Sequence, residues 1–411
     1  MASSSEGRLE RMAAEGTYDF AVVGRGMIGS AAARYVSRRS SRVAIFGEAE
    51  PADLSGHAGA FASHYDSSRF YRVIDQSTAW ARMADRARGR YSELEAESGI
   101  TFHRPHPYLQ VSKNSPAALD EYGQLEAIGR DFGAESVILP TSTELNEAFP
   151  KLQFPEGMLG QVETERTAGV LNPRLFVAAE LTAARRQGAT LIPERVVAVE
   201  PGRGHVTLRT SSGSRYEAGK ALIAAGAWSH FLLQRPVRII LEAVAVVLGE
   251  VPASEAFAFP SLIYNRIPTD PDAEAGYLMS AVEYPDGKFY VKGGWYWSST
   301  VVETGAELNA YFRSPITRNS GKADRELFTG LVPDLQAVRS WSYRPCVHMR
   351  TRTHLPYIDE IEPGHIYVAF GGNGLAAKCG DEIGRLGAEL TASGRWGDAE
   401  LPAADFKVAY A

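Results

Sequence analysis

Cysteine is scarce in this chain, with two residues among 411. This scarcity excludes a disulfide-stabilised scaffold and indicates a reducing compartment, so we expect a cytoplasmic protein. Long apolar runs are lacking as well, because the most apolar segments, such as residues 243–248, have only the length of a strand and not the roughly 18 residues of a membrane helix. Residues 1–16 are small and polar, which is typical of a flexible tail and not of a signal peptide.

A run of basic residues is also lacking. The formal net charge is −6, with 43 Lys and Arg against 49 Asp and Glu, so nothing indicates a nucleic-acid partner. The nine histidines have no metal-ligand spacing with cysteine or acidic residues, and no nucleophile elbow is found, so we expect no metal site and no serine hydrolase. The composition is that of a soluble globular protein, and the length suits two domains or one elaborated α/β domain.

Glycine, by contrast, is abundant, with 39 residues. Three of them form the turn of a pattern whose parts are an apolar segment at 18–23, Gly24, Gly26 and Gly29, a helical pattern at 30–39 and an apolar segment at 43–46. Gly24 permits a tight turn, Gly26 lets a pyrophosphate approach the backbone, and Gly29 lets the helix lie close to the strand. The pattern predicts a dinucleotide-binding βαβ unit, in which Met27 and Ile28 also contact the cofactor.

An acidic residue at the end of the second strand usually binds the ribose of the dinucleotide. That position holds Gly47 in this chain, and the carboxylate comes one residue later, at Glu48. Glu48 either reaches the ribose from this position or is a solvated turn residue, and the sequence leaves both interpretations open.

Two later segments also lead from a strand into glycine. Residues 220–225 precede Gly226, and residues 365–370 precede a turn made of Gly371, Gly372, Asn373 and Gly374. Because glycine has no side chain, its backbone can approach a ligand closely. We therefore expect both segments to contact the same cofactor. Val196, in an apolar strand pattern at 189–198, is expected to be a further contact.

The remaining patterns mix helices and strands. Residues 51–72 are predicted as a loop that passes into a helix, and residues 75–97, 175–186 and 381–391 as helices. Residues 238–251 and 288–297 are apolar and rich in β-branched or aromatic residues, which predicts strands.

Four segments that follow one another along nearly the whole chain give a specific resemblance: the glycine turn, residues 62–72, Lys292 and residues 346–378. With these motifs the chain resembles the monomeric sarcosine oxidase branch of the D-amino-acid-oxidase-like flavoproteins, which also contains N-methyltryptophan and pipecolate oxidases. The resemblance implies FAD as the cofactor, a small amino-acid substrate, oxygen as the electron acceptor and a monomer. It also implies an α/β and mixed fold, with a Rossmann-like FAD-binding domain and an inserted substrate domain on a large, mostly antiparallel sheet.

This architecture suggests a discontinuous first domain. We expect the FAD-binding domain at residues 17–90, 165–235 and 340–395 and the substrate domain at residues 91–164 and 236–339. Residues 396–411 would form a C-terminal tail.

Cys346 occupies the position at which these oxidases bond a cysteine sulfur to the flavin, so the resemblance implies a covalent link. The alternative is a small buried cysteine without such a role. The family's attachment region reads Ser-His-His-Gly, whereas this chain has Ser63, His64, Tyr65 and Asp66. Ser63 and His64 are expected to contact the cofactor.

Three cations are expected beside the flavin or the substrate. By resemblance Arg69 lies close to the flavin ring, whereas Arg72 and Lys378 bind the substrate carboxylate. The two arginines are expected on one face of a helix, and the alternative is a pair of surface arginines. Lys378 stands at a helix start, where a cation is disfavoured, and this predicts an anion beside it.

Lys292 matches the lysine that promotes the reaction of the reduced flavin with oxygen, since a cation stabilises the negative charge that oxygen acquires. The alternative is an exposed lysine at a sheet edge. Strand alternation places Tyr290, Lys292 and Tyr296 on one face, which makes Tyr296 a candidate wall of the substrate pocket. His348 follows Cys346 by two residues and is expected to face the flavin or to be a hydrogen-bonded structural residue.

Together these residues predict an FAD-dependent oxidase of an amino acid with a secondary amine. Hydride transfer to the flavin would give an imine, water would hydrolyse it, and oxygen would yield hydrogen peroxide. Tyr65, Tyr296 and Met349 differ from the sarcosine pattern, which favours a substrate other than sarcosine. Three alternatives stay open: a dehydrogenase of the same fold with another acceptor, an oxidase of glycine or D-amino acids, and a flavin-binding scaffold protein without enzymatic activity.

Overall fold

A computed structural model describes residues 15–52, 54, 56–57, 59–264, 276–295, 300–313, 321–338 and 340–411. Most of the predicted tail at 1–16 and the predicted pocket residue Tyr296 lie outside the described residues. Within these ranges, no helix combines the length and the apolar character needed to cross a membrane.

The helices of the described residues are α1 Met27–Ser37, α2 Thr78–Arg88, α3 Tyr91–Ser98, α4 Pro116–Arg130, α5 Ser142–Ala148, α6 Pro173–Arg186, α7 Gly305–Arg313, α8 Gly321–Leu331 and α9 Gly380–Ser393. The strands are β1 Thr17–Val23, β2 Val43–Phe46, β3 Arg69–Tyr71, β4 His103–Pro105, β5 Tyr108–Lys113, β6 Ser136–Leu139, β7 Met158–Glu163, β8 Gly169–Leu171, β9 Thr190–Ile192, β10 Val196–Pro201, β11 Val206–Thr210, β12 Arg215–Ile223, β13 Ile239–Val251, β14 Ser261–Tyr264, β15 Gly276–Glu283, β16 Phe289–Trp295, β17 Thr300–Val302, β18 Trp341–Thr351, β19 Tyr357–Glu362 and β20 Ile366–Phe370.

The first sheet contains the predicted βαβ unit. Its strand order is β10-β11-β12-β1-β2-β9, with β20 on β12 and β19 on β20. Strands β9, β2, β1, β12 and β20 run parallel, and the other pairs are antiparallel. Helices α6 and α9 pack on α1, where Ala31, Ala32 and Ala33 are fully buried. A Cβ added to Gly384 of α9 would lie 2.6 Å from the Cβ of Ala31, so small residues on both helices allow the close approach.

The second sheet is large and mostly antiparallel. Its order is β17-β13-β16-β15-β14-β5-β7-β6, with β18 on β13, and β14 and β5 form its parallel pair. A small third sheet has the order β3-β8-β4. A parallel nucleotide-type sheet beside a large antiparallel one is the predicted fold class, which is confirmed. The segment 340–395 supplies β18 to the second sheet and β20 to the first, and the domain division stays a proposal.

The prediction of a helix around Arg69 and Arg72 was wrong. Residues Arg69–Tyr71 form β3, which pairs antiparallel with β8 through Phe70 and Val170. This pairing joins segments about 100 residues apart, so the helical spacing of the two arginines did not reveal it. The predicted strand at 189–198 is likewise divided into β9 and β10, since Pro193 follows β9 and has no N–H for a sheet hydrogen bond.

A buried group of charges connects the helices that cover the first sheet. The side chain of Arg34 on α1 is 1% exposed and lies 2.6 Å from carboxylate oxygens of both Glu180 on α6 and Asp381 on α9. A third contact, at 3.1 Å, reaches Glu97 on α3. Because a buried charge without partners is very unfavourable, these contacts fix how the four helices pack together.

Candidate active site

A cavity of about 760 Å³ is lined by residues of both large sheets, a volume typical of a ligand site. Its walls include residues of the glycine turn, the segment 60–66, the loop after β12, strand β18 and the turn after β20. Most of the predicted cofactor residues line it: Gly24, Gly26, Met27, Ile28, Glu48, Ser63, His64, Val196, Gly226, Cys346, Gly371, Gly372 and Gly374. Segments far apart in the sequence therefore meet at one site.

The glycine turn has the geometry that a pyrophosphate site requires. Gly24 has a φ of 117°, and a Cβ there would overlap the backbone of Ala224. A Cβ on Gly29 would overlap the carbonyl oxygen of Gly24, so this position tolerates only glycine. Gly26 is the N-cap of α1 and supplies no side-chain cap, so the first N–H groups of the helix remain available to an anion at the cavity wall.

Glu48 lines the cavity near the end of β2. Its Oε2 accepts a hydrogen bond of 2.9 Å from the backbone N–H of Ala60, which ties the following loop to the strand end. The side chain of Arg25 packs on Gly47 and also lines the cavity, so a cation stands where the sequence pattern leads one to expect an acid. Binding of the ribose by Glu48 stays a prediction.

Asn373 fixes the conformation of the turn after β20. Its φ is 50°, and its side chain accepts from the N–H of Thr351 and donates to the carbonyl of Gly371, both at 2.9 Å. Asn373 does not line the cavity, whereas its neighbours Gly371, Gly372 and Gly374 do. The hydrogen bonds of Asn373 therefore shape the turn, and its side chain does not reach the cavity wall.

Strand β18 places Cys346 and His348 on the cavity wall, together with Met349. Cys346 is a half-buried free thiol. Burial, with Arg350 and Arg69 nearby, lowers the pKa of His348 to about 4, and burial with Arg174 and Arg25 lowers the pKa of His64 to about 3. Both imidazoles are therefore neutral near pH 7, and within the described residues the Nδ1 of each has no hydrogen-bond partner.

Lys292 on β16 is buried behind the cavity wall. Its Nζ lies 2.7 Å from Oδ2 of Asp66 and donates to the carbonyl of Ser68. Asp66 lines the cavity, forms an ion pair with Arg69 and accepts a hydrogen bond of 2.7 Å from the hydroxyl of Tyr284. Burial, together with the nearby charge of Arg69, lowers the pKa of Lys292 well below its ordinary value.

Arg72 and Lys378 lie close together, as predicted for a carboxylate clamp, but the carboxylate between them belongs to a residue of the chain, Asp75. Oδ2 of Asp75 lies 2.7 Å from Nζ of Lys378 and 3.3 Å from a guanidinium nitrogen of Arg72. All three residues are buried, at 8% exposure or less, and none of them lines the cavity. The anion predicted beside Lys378 is therefore found, and it is Asp75.

Sequence reasoning did not identify Asp66 and Asp75, the two acids that pair with the predicted cations. Asp66 stands in the quoted motif at the position of the family's glycine, and Asp75 follows Arg72 by three residues. A carboxylate at each of these positions, close to a predicted cation, was the available signal. Tyr65 and Met349, used to argue against sarcosine, both line the cavity.

Comparisons with known proteins agree with this geometry. The model of a family described as FAD dependent oxidoreductase (DAO) matches residues 19–390. Monomeric sarcosine oxidase of Streptomyces avermitilis is 30% identical over 219 residues, 53% of this chain and 54% of that protein. N-methyl-L-tryptophan oxidase of Yersinia pestis is 25% identical over 267 residues, 62% of this chain and 68% of that protein. The match to the sarcosine oxidase thus spans about half of its length.

Solved structures share the fold over almost the whole chain. NikD, an unusual amino acid oxidase essential for nikkomycin biosynthesis, superposes with a TM-score of 0.75 at 19% identity, covering 96% of this chain and 98% of that chain. Glycine oxidase from Geobacillus kaustophilus gives 0.72 at 21% identity, covering 95% and 98%. At these identities the likeness concerns the fold, and it agrees with the predicted fold class.

Proposed function

Because this chain belongs to the family of FAD-dependent oxidoreductases, we propose that it oxidises a secondary amine, of the N-methyl or cyclic kind, and passes the electrons to oxygen with release of hydrogen peroxide. The observation that carries the proposal is the single cavity in which the glycine turn, Cys346 and His348, and the Asp66–Arg69 pair meet. The names of the relatives support an amino compound as the substrate.

The residues present suit FAD. The N–H groups at the start of α1 would hold the pyrophosphate, and the turn at 371–374 would lie against the rest of the molecule. FAD bound there would supply a two-electron acceptor, which takes one hydride from the carbon beside the amine and returns its two electrons to oxygen. His348, neutral near pH 7, would accept a hydrogen bond from the amine N–H through Nδ1 without adding charge.

The resemblance assigns the carboxylate of an amino-acid substrate to Arg72 and Lys378. That assignment requires Asp75 to release both cations, because its carboxylate contacts each of them. The proposal of a secondary-amine oxidase does not depend on this clamp.

Covalent attachment of the flavin through Cys346 is part of the proposal. Replacing Cys346 by serine is expected to move the flavin from the pellet to the supernatant after acid precipitation, because the thioether bond can no longer form. The other cysteine, Cys379, is fully buried away from the cavity, so Cys379→Ser is the matched control and should leave a yellow pellet. Flavin in the supernatant of the unaltered protein would exclude the bond.

Peroxide release in air tests the proposed function. The purified holoenzyme is given N-methyl and cyclic secondary amines, with and without carboxylates, and glycine and D-amino acids for comparison. Peroxide with a secondary amine is the expected result. Peroxide with primary amino acids alone would assign the chain to the other oxidase class.

One observation favours a second candidate, a dehydrogenase that passes electrons to another acceptor. Lys292 is paired with Asp66, and a cation that is already neutralised promotes the reaction with oxygen less than a free one. A flavin that is reduced by a secondary amine without air but is reoxidised slowly by oxygen would support this candidate.

A further inference from the structure

Asp75 makes contacts that in this family are expected of a substrate. Its Oδ2 is shared by Lys378 and Arg72, the two cations that the resemblance assigns to the substrate carboxylate. Arg72 also donates to the carbonyl of Ile74, and its guanidinium lies 5.0 Å from the ring centre of Tyr108. Lys378 and the Nη1 group of Arg72 are thus directed at groups of the chain itself.

The carboxyl group of Asp75 is ionised near neutral pH. Burial works against the charged form, but Lys378 and Arg72 lower the pKa of Asp75 to about 2. A substrate carboxylate would therefore meet a negative charge of the chain already bound to the cations, and two carboxylates at one buried site repel each other.

The position of Asp75 is fixed from both sides. Its Oδ1 accepts a hydrogen bond of 3.1 Å from the N–H of Ser77, the N-cap of α2. The two preceding residues, Val73 and Ile74, donate their N–H groups to the fully buried carboxylate of Glu163 at 2.8 and 3.0 Å. Moving Asp75 aside would break its contacts with both cations and with Ser77, so we expect it to stay between the two cations.

We infer that Asp75 replaces the substrate carboxylate on Arg72 and Lys378, and that the substrate is a secondary amine without a carboxylate beside the reacting nitrogen. The inference rests on the proposed function and narrows its substrate class to free amines and to amino acids whose carboxyl group is blocked as an amide or ester. Asp75 is then the residue that separates this chain from oxidases of free amino acids.

Matched pairs of compounds test the inference with the holoenzyme. Piperidine is compared with pipecolate, and N-methylphenethylamine with N-methylphenylalanine, since the members of each pair differ by one carboxylate. The rate of flavin reduction without air is measured against concentration, which removes the reaction with oxygen from the result. We expect the unaltered enzyme to prefer the amine, and preference for the amino acid in both pairs would overturn the inference.

Asp75→Ala should reverse the preference, because it removes the charge and makes room at both cations. Since hydrogen bonds to charged groups carry the selectivity, the ratio of kcat/KM between amino acid and amine should rise by roughly 10- to 100-fold. Asp75→Glu keeps the charge and should leave the ratio unchanged. Asp85→Asn on α2, which removes an acid paired with Arg88 away from the cavity, is the control for general effects.

A binding measurement separates this inference from the proposed function. Acetate is titrated against the flavin absorbance of the unaltered enzyme and of Asp75→Ala. A gain in acetate affinity confined to the alanine variant supports the inference, even where no amine reduces the flavin and the proposed function fails. Equal acetate binding by both proteins would overturn the inference, even where secondary amines are good substrates.

Discussion

Replacing Lys292 by methionine is expected to slow the reoxidation of the reduced flavin by oxygen by about 100-fold, with much less effect on its reduction by the amine. Methionine has a similar length and no charge, and the replaced ammonium group is 1% exposed on strand β16. In a water-poor site, a fixed cation stabilises the negative charge that oxygen acquires far more than it would in water. Rapid mixing of the two half-reactions, measured separately, gives the two rates.

Lys288 offers a matched control, because it precedes the same strand but is about half exposed and paired with Glu250. Lys288→Met should leave both half-reactions unchanged. Equal slowing of both half-reactions in Lys292→Met would show a structural effect and would remove the proposed role in the reaction with oxygen. An unaltered rate of reoxidation would favour the dehydrogenase candidate, in which the pairing with Asp66 holds the lysine for structural reasons.

Replacing Gly29 by alanine is expected to abolish most FAD binding. The new Cβ would overlap the carbonyl oxygen of Gly24, so the turn must open and the helix must move away from β1. A steric overlap of this kind costs on the order of 3 kcal/mol, which corresponds to a loss of affinity of about 100-fold. The ratio of flavin absorbance to protein in the purified variant measures the result.

Gly123 in α4 is the matched control, since a Cβ there meets no atom within 4 Å. Gly123→Ala should keep its flavin and gain slightly in stability, because alanine favours a helix over glycine. Circular dichroism of both variants separates cofactor loss from unfolding. Full flavin occupancy in Gly29→Ala would contradict the pyrophosphate site at this turn.

Local patterns were sufficient for the parts of the fold that depend on neighbouring residues. The glycine turn and α1 were predicted because strand, turn and helix follow one another within residues 17–37. The strand β13 and the helix α9 were predicted from the same kind of periodicity. The conformation of Arg69–Tyr71 was not, because its partner strand β8 lies about 100 residues away.

In the candidate site, too, the residues that could be predicted from local sequence differ from those that depend on the tertiary fold. The helix position of Lys378 predicted an anion beside it, but Asp75 is 303 residues away in the sequence, so its identity could not be derived. The pairing of Lys292 with Asp66 spans 226 residues. The presence of a cation at a site can thus be predicted from sequence. The acid that pairs with that cation cannot, because the tertiary fold brings the two together.

The position of β1 within its sheet has a consequence for the order of events during synthesis. Thr17 pairs with Glu217, and Arg34 meets Asp381 near the end of the chain. At 5–20 residues per second, roughly 10–40 s separate the emergence of β1 from that of β12. During that interval β1 can pair with β2, but its other edge, which later pairs with β12, stays unpaired, and an unpaired strand edge is prone to aggregation. FAD is then bound by a nearly complete polypeptide, so cofactor uptake is a late checkpoint of biogenesis.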